Sequence, residues 1–154
     1  SDLPGRDSAT SYRVSNGAAQ EIPIVGYPDW PAGMIRTSAR DFAQFLKIFA
    51  NQGRVGGREY LSRRTLDTIA TSDAVHPDTP DMAVHQGLIW ILTETAHGLR
   101  AGHSGLEPGS NTRAGIELKT GAAALVFANV AGNPAIVPFQ QEIIARLLDK
   151  ARQA

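Results

Sequence analysis

The hydrophobic period of the chain changes at Gly87, and this change limits the possible folds more than any other feature of the sequence. Before it, apolar residues recur at helical spacing. After it, they alternate or run together in short bursts between turn residues. Residues 88–92 read as a buried strand, and Ala96-His97-Gly98 turns the chain into a second strand over 99–104. Residues 112–118 alternate, with Ala114, Ile116 and Leu118 on one face and Arg113, Gly115 and Glu117 on the other. Lys119-Thr120-Gly121 reads as a tight turn, and the nearly all-apolar 122–130 as a central strand covered on both faces. Consecutive strands joined by short turns form an antiparallel meander.

Two helices precede the meander. Ser38 is a good N-cap with Asp41 three residues on, a variant of the capping box. Phe42, Phe45, Leu46 and Phe49 then follow at i, i+3, i+4 and i+7 as one apolar stripe suited to core packing, and Gly53 ends the helix. A second helix begins at Ser62, with Leu61 and Leu66 placed as a hydrophobic staple; Leu66 and Ile69 face the core, and the helix fades near Thr71. Residues 72–84 carry Pro77, Pro80 and three aspartates and read as a loop.

The ends of the chain differ in character. Residues 1–36 are rich in proline and glycine and read as an extended lead-in, with Ile22-Pro23-Ile24-Val25 as a short edge strand. Asn133-Pro134 breaks the sheet, and Pro138 suits the first position of a last helix. Phe139, Ile143, Ile144, Leu147 and Leu148 give that helix a broad apolar face. The expected architecture is α+β: an antiparallel meander covered by a C-terminal helix, with two preceding helices. One domain spans 1–154, as a lead-in (1–36), a helical part (37–71) and a sheet with its terminal helix (86–154).

Composition removes several classes of function. With 154 residues, 42% apolar and 19% charged, the chain is ordinary globular material able to bury a core. Fifteen basic and fifteen acidic residues cancel, so no whole-molecule field draws nucleic acid or an anionic membrane. Cysteine is absent, which excludes disulfides, thiolate catalysis and Cys-ligated zinc. No run approaches the roughly 18 apolar residues a membrane span needs. The first residues lack the regions of a signal peptide, and the chain starts at Ser1, as a processed product or a piece of a longer chain would.

The chemistry concentrates in Gly102-His103-Ser104-Gly105-Leu106-Glu107-Pro108-Gly109, where small residues flank a His-Ser pair at the end of a strand. Such a stretch lets a ligand approach the backbone closely. A tight turn carrying a surface histidine is the simpler reading of the local pattern. His76, His85 and His97 lie in or beside loops and turns and read as solvent-facing, and no H-E-x-x-H zinc pattern occurs. Trp30 and Trp90 could line a cleft, although Trp90 reads better as a buried strand residue.

Pro31-Ala-Gly-Met-Ile-Arg-Thr-Ser-Ala-Arg-Asp-Phe-Ala-Gln-Phe45 is similar to the P-A-G-G-L-x-S-T-A-x-D-L-A-x-F stretch of the serine β-lactamase and penicillin-binding-protein-like hydrolases. Leu61-Ser62 and its helix resemble the next family segment, and Gly87-Leu-Ile-Trp90 resembles the Y-G-L-G-W strand. Gly102-His-Ser-Gly105 with Pro108-Gly109 resembles G-H-T-G-x-x-P-G, and Phe127-Ala-Asn129 resembles V-L-T-N. Each block is weak alone, but together they stand in family order from about Gly26 onward.

The resemblance implies acyl transfer through a serine ester on an ester, D-amino-acid peptide or β-lactam. That chemistry needs a serine and lysine in S-x-x-K, a tyrosine in Y-x-N, and a K-T-G or H-x-G strand. No serine here has lysine three residues on, and Tyr12, Tyr27 and Tyr60 are followed two places on by Val14, Asp29 and Ser62. Only the third motif is present, so the chain reads as the carboxy-terminal part of a hydrolase whose nucleophile lies elsewhere. Lys119-Thr120-Gly121 matches K-T-G literally but leaves room for only one strand before Pro134. His103-Ser104-Gly105 leaves room for two, as the family requires.

Carried over residue by residue, the resemblance makes His103 a donor to the substrate's carboxylate or carbonyl. Ser104 would be a hydrogen-bonding partner of substrate, Gly105 a point of close backbone approach, and the Leu106 N–H one oxyanion donor. No cofactor or metal is implied. Expected partners are a small acyl substrate and either the nucleophile-bearing part or a second copy of the chain, because an unpaired sheet edge recruits strands. The resemblance also suggests a periplasmic or secreted setting. The alternative is a non-catalytic binding or assembly module that kept the sheet and lost the chemistry.

Overall fold

Strands β5 (Ala74–Val75), β6 (Val84–Gln86), β7 (Ile91–Thr95), β8 (Gly98–Glu107), β9 (Ser110–Glu117) and β10 (Ala123–Ala128) form one six-stranded antiparallel sheet in sequence order. A computed structural model describes residues 8–23, 33, 35–71, 74–75, 84–132 and 135–153 of the chain. Within them the expected α+β meander is present. Around the sheet stand helices α1 (Ala39–Ala50), α2 (Arg63–Ala70) and α3 (Ile136–Arg152), with two small hairpins, β1–β2 (Ser11–Ser15, Ala18–Ile22) and β3–β4 (Arg54–Val55, Arg58–Glu59). Among the described residues no helix is long and apolar enough to cross a membrane.

Strand alternation gives the sheet two different faces. Leu92, Ala101, Ala114 and Ile116 point to the face covered by α1 and α2, where they pack with Leu46, Phe49, Ile69 and Trp90. The aromatic stripe of α1 packs inward through Leu46 and Phe49, with Phe49 meeting the Trp90 ring edge-on at 5.3 Å and Phe42 meeting Phe127 at 5.7 Å, while Phe45 stays 40% exposed. On the other face Ala124 and Val126 pack beneath Ile144 and Leu148 of α3. Glu117 points to this second face, almost fully buried, where its carboxylate accepts from Arg152 and from the Thr120 hydroxyl. That is how a charged residue on the polar side of an alternating strand ends up inside.

The helix caps follow the sequence closely. The Ser38 hydroxyl accepts the Asp41 N–H at 3.1 Å, and the Ser62 hydroxyl accepts the Thr65 N–H at 3.1 Å. Each such cap stabilises by about 1 kcal/mol. Helix α1 ends through Gly53, whose N–H donates to the Ile48 carbonyl at 2.6 Å with φ +86°. A Cβ there would sit 2.0 Å from the Leu61 carbonyl oxygen, so no other residue fits.

Several expectations need correction. The lead-in contains the β1–β2 hairpin, turned by Asn16-Gly17 with φ of 50° and 76°; Asn-Gly is the residue pair such turns favour. The hairpin docks on the sheet where Tyr12 N–H donates to the Asn129 carbonyl at 3.0 Å and Ala131 N–H donates to Tyr12 at 2.7 Å. The loop expected over 72–84 holds β5 and the start of β6. Residues 87–90 form the turn of a β6–β7 hairpin, closed by Gly87 N–H on the Trp90 carbonyl at 2.8 Å, so Leu88 and Ile89 are exposed. Strand β8 runs on to Glu107 instead of ending at Ser104.

The strand over 122–130 is covered on both faces but is not central: β10 is the last strand of the sheet. Helix α3 begins at Ile136, two residues before Pro138, which falls within the first turn, where no intrahelical N–H is required. Its buried row is Gln140, Ile144 and Leu148, while Phe139 and Leu147 are 62% and 41% exposed. His97 is exposed as expected, His85 is half-buried in β6, and Trp90 is buried. The expectations for Ile24-Val25, Trp30, His76 and the Pro31 end of the first family block lie outside the described residues.

Gly53→Ala should lower stability by more than about 1 kcal/mol, because strain at positive φ adds to a backbone clash. Gly56→Ala, at φ +58° with open space around its Cβ, should cost about 1 kcal/mol or less. Urea unfolding of the two variants checks the difference.

Candidate functional site

Strand β8 is twice as long as β7, and the site follows from that mismatch. The ladder between them runs from Thr95↔Gly98 to Ile91↔Gly102 and stops there. On its other side β8 stays paired with β9 through Glu107↔Ser110. From His103 to Glu107, therefore, β8 has one edge with no neighbouring strand among the described residues.

Backbone alternation decides which groups face that edge. Leu118 N–H donates to the Leu99 carbonyl at 3.0 Å, so the N–H and C=O of Leu99 point to β9. Without a bulge in the register, those of His103 and Gly105 point the same way. Those of Ser104 and Leu106 point to the open side. The Leu106 N–H thus points to the open side, with no strand partner among the described residues, beside an exposed Leu106 side chain.

His103 is exposed, and its Nδ1 lies 2.8 Å from the Ser104 carbonyl oxygen. A carbonyl can only accept, so this contact makes Nδ1 the protonated nitrogen and leaves Nε2 free. Gly105 keeps the strand narrow next to His103; a Cβ there would come within 2.7 Å of the Thr112 hydroxyl. Lys119-Thr120-Gly121 is the β9–β10 turn, with Gly121 N–H on the Glu117 carbonyl at 2.8 Å, and β9, β10 and α3 follow Gly105 in order.

Ser104 does not join His103. As the next residue along a strand it points to the α3 face. There it lines a depression of about 200 Å³ with Arg100, Gly102, Arg113, Gly115 and Gln141. Burial, and secondarily the nearby Arg100 guanidinium, hold the Arg113 pKa below its usual value. Sequence reasoning singled out neither arginine: Arg113 was placed only on a polar strand face, and the register that brings Arg100 near it was not legible. Among the described residues no group of three or more His, Asp or Glu side chains is placed to hold a metal ion.

The family model described as Beta-lactamase matches residues 2–148. Among curated proteins none matches the chain. The fold is similar to that of a D-stereospecific amidohydrolase from Streptomyces sp., with a TM-score of 0.62 and 22% identity, covering 88% of this chain and 39% of that one. It is also similar to a penicillin-binding protein from Bacillus halodurans, with a TM-score of 0.66 and 16% identity, covering 92% of this chain and 42% of that one. The chain spans about two fifths of the length of each of these solved structures.

Amide exchange tests the edge geometry. The Ser104 and Leu106 amides should exchange faster than those of Ala101, His103 and Gly105, which lie in the β8–β9 ladder. Equal protection along 101–107 would contradict the open edge.

Proposed function

The chain belongs to the beta-lactamase family, and from that premise we propose that β8 forms one wall of an acyl-transfer cleft whose attacking serine comes from outside these 154 residues. The observation that carries this reading is the edge at 103–107, which has no strand partner among the described residues and turns the Leu106 N–H outward beside the exposed His103. When a serine hydroxyl adds to an acyl carbonyl, its proton passes to a base on the serine-bearing segment, and the C=O π pair moves onto oxygen as the O–C bond forms. Collapse then expels the protonated leaving group and leaves the acyl-serine ester. A fixed N–H aimed at the carbonyl oxygen lowers the barrier, and removing one such donor costs roughly 10²–10³ in rate. The Leu106 N–H takes this role, paired with a donor from the serine-bearing segment.

His103 supports the same step. Its free Nε2 accepts a hydrogen bond when neutral and donates to a carboxylate or carbonyl when protonated. Gly105 admits the substrate to the strand. Ser104 contributes its backbone at the edge, and its hydroxyl stays on the far face. The substrate is an ester, a D-amino-acid peptide or a β-lactam.

Two features support a docking place for the serine-bearing segment. The outer edge of β10 has no strand beside it among the described residues, apart from the bridge between Tyr12 and Val130. On α3, Gln141 lines the depression over β8 and β9, while Phe139 and Leu147 are exposed and, with the half-buried Ile143, lie on the other side of the helix. An unpaired edge beside an apolar stripe favours an added strand and its cover.

Incubation with a nitrophenyl ester or a fluorescent penicillin tests the reading. The chain alone should take no covalent label, and label should appear when a polypeptide carrying the S-x-x-K segment is added. Labelling of the isolated chain would refute it. In the active pair, His103→Ala should lower turnover by about 10²–10⁴. Leu106→Pro, which removes an N–H outside the ladder at a cost in side chain and backbone freedom, should lower it by about 10²–10³, and Leu106→Ala, which removes the side chain alone, should leave it nearly unchanged. In sedimentation, the chain should self-associate on its own or pair with that polypeptide once it is added, and a compact monomer in both samples at every dilution would count against the docking surface.

A further inference from the structure

The α3 face of the sheet carries a second polar site that the acyl-transfer reading does not use. Its floor comes from a register coincidence: Gly102 and Gly115 are direct partners across β8 and β9, so the layer of side chains over the sheet is missing at one spot. Arg100, Arg113, Ser104, Thr93 and Gln141 surround the gap, with Ile91 and Ile144 at its apolar margin, and the space is about 200 Å³. His103 and Ala114, whose side chains belong to the other face, complete the lining.

Two like charges at one concave spot are costly unless something neutralises them. Neither Arg100 nor Arg113 makes a hydrogen bond or an ion pair with a described residue, and the buried Nε of Arg113 has no partner. None of the lining residues is acidic. The nearest carboxylate by register, Glu117 opposite Arg100, is occupied by Arg152 and Thr120. On α3, Glu142 pairs with Arg146 and Asp149 with Arg152.

We propose that this depression binds a small oxyanion of the phosphate type, gripped by Arg100 and Arg113 and hydrogen-bonded by the Ser104 and Thr93 hydroxyls and the Gln141 amide. The donors surround the gap, and guanidinium groups suit an acceptor with several oxygens. The volume holds a phosphate with room for a short stem, so a free phosphate and a phosphomonoester both fit. The donors proposed to hold the ligand are Arg100, Arg113, Thr93, Ser104 and Gln141, none of whose side chains the acyl-transfer reading uses, so the site does not rest on that reading.

Thermal unfolding of the chain at constant ionic strength, titrated with inorganic phosphate and separately with glycerol phosphate, tests the proposal. Inorganic phosphate should raise the midpoint saturably, by about 4 °C or more at saturation. A matching rise with glycerol phosphate would identify a phosphomonoester site, and a rise with inorganic phosphate alone a free-phosphate site. Arg113→Met and Arg100→Met should weaken the apparent affinity at least about tenfold. In phosphate-free buffer both should unfold no earlier than the parent, because the unneutralised pair is relieved. Gly115→Ala provides a variant that should fold. Its Cβ would meet Arg100 Cδ at 3.6 Å and Ile144 Cγ2 at 3.7 Å, ordinary contacts that nonetheless fill the floor, so it too should bind phosphate more weakly. An equal rise with chloride, no saturable rise, or an undiminished response in Arg113→Met would overturn the site.

Discussion

The structure turns on one length mismatch in a hydrogen-bonded ladder. β7 contributes five residues and β8 ten, so among the described residues half of β8 is stitched on one side only. Backbone donors and acceptors must be satisfied by something, and on an open edge that something is water or a ligand. The mismatch thus leaves a piece of ordinary sheet with backbone groups facing outward, and in the proposed function these are what meets the acyl group. The neighbouring strands fix its position from one side, and the aromatic packing of α1 on Trp90 anchors the β6–β7 hairpin that ends just short of it.

Alternation along β8 then divides its side chains between two environments. His103 lies on the face shared with α1 and the aromatic cluster. Ser104, one residue later, lies with Arg100 and Arg113 beneath α3. A motif read as a linear string would assign both side chains to one cleft. The strand's period of two turns successive side chains to opposite faces, so the two residues border the same depression with their side chains directed to different sides of the sheet. The same alternation sends Glu117 inward, where Arg152 from the end of α3 meets it, so helix and sheet are tied together by a nearly buried ion pair.

Much of the architecture was legible because local chemistry and global fold agree. Ser38 and Ser62 cap helices where their residue types say they should, Gly53 ends α1, and the alternation of 112–118 marks β9. The reading failed where a short polar strand lacked an apolar signature: β1 and β2 are largely exposed, and only Asn16-Gly17 announced their turn. It also failed at Leu88 and Ile89, whose apolar run looks like a strand but forms a hairpin turn. Phe139 and Leu147 looked like core and are exposed, because the row of α3 that meets the sheet runs through Gln140. The candidate site was legible as a motif around His103. Its open edge and the Arg100–Arg113 pair were not, since both depend on strand register, which no linear pattern encodes.

In the proposed cleft the Leu106 N–H holds the developing charge of the acyl-transfer step. The most direct measurement is the amide resonance of Leu106 in the ¹⁵N-labelled chain, paired with the serine-bearing polypeptide and treated with a boronic acid that forms a tetrahedral adduct on that serine. A large downfield shift of the Leu106 N–H, with new protection from exchange, is the predicted result. An adduct that forms while the Leu106 resonance stays in place would contradict it.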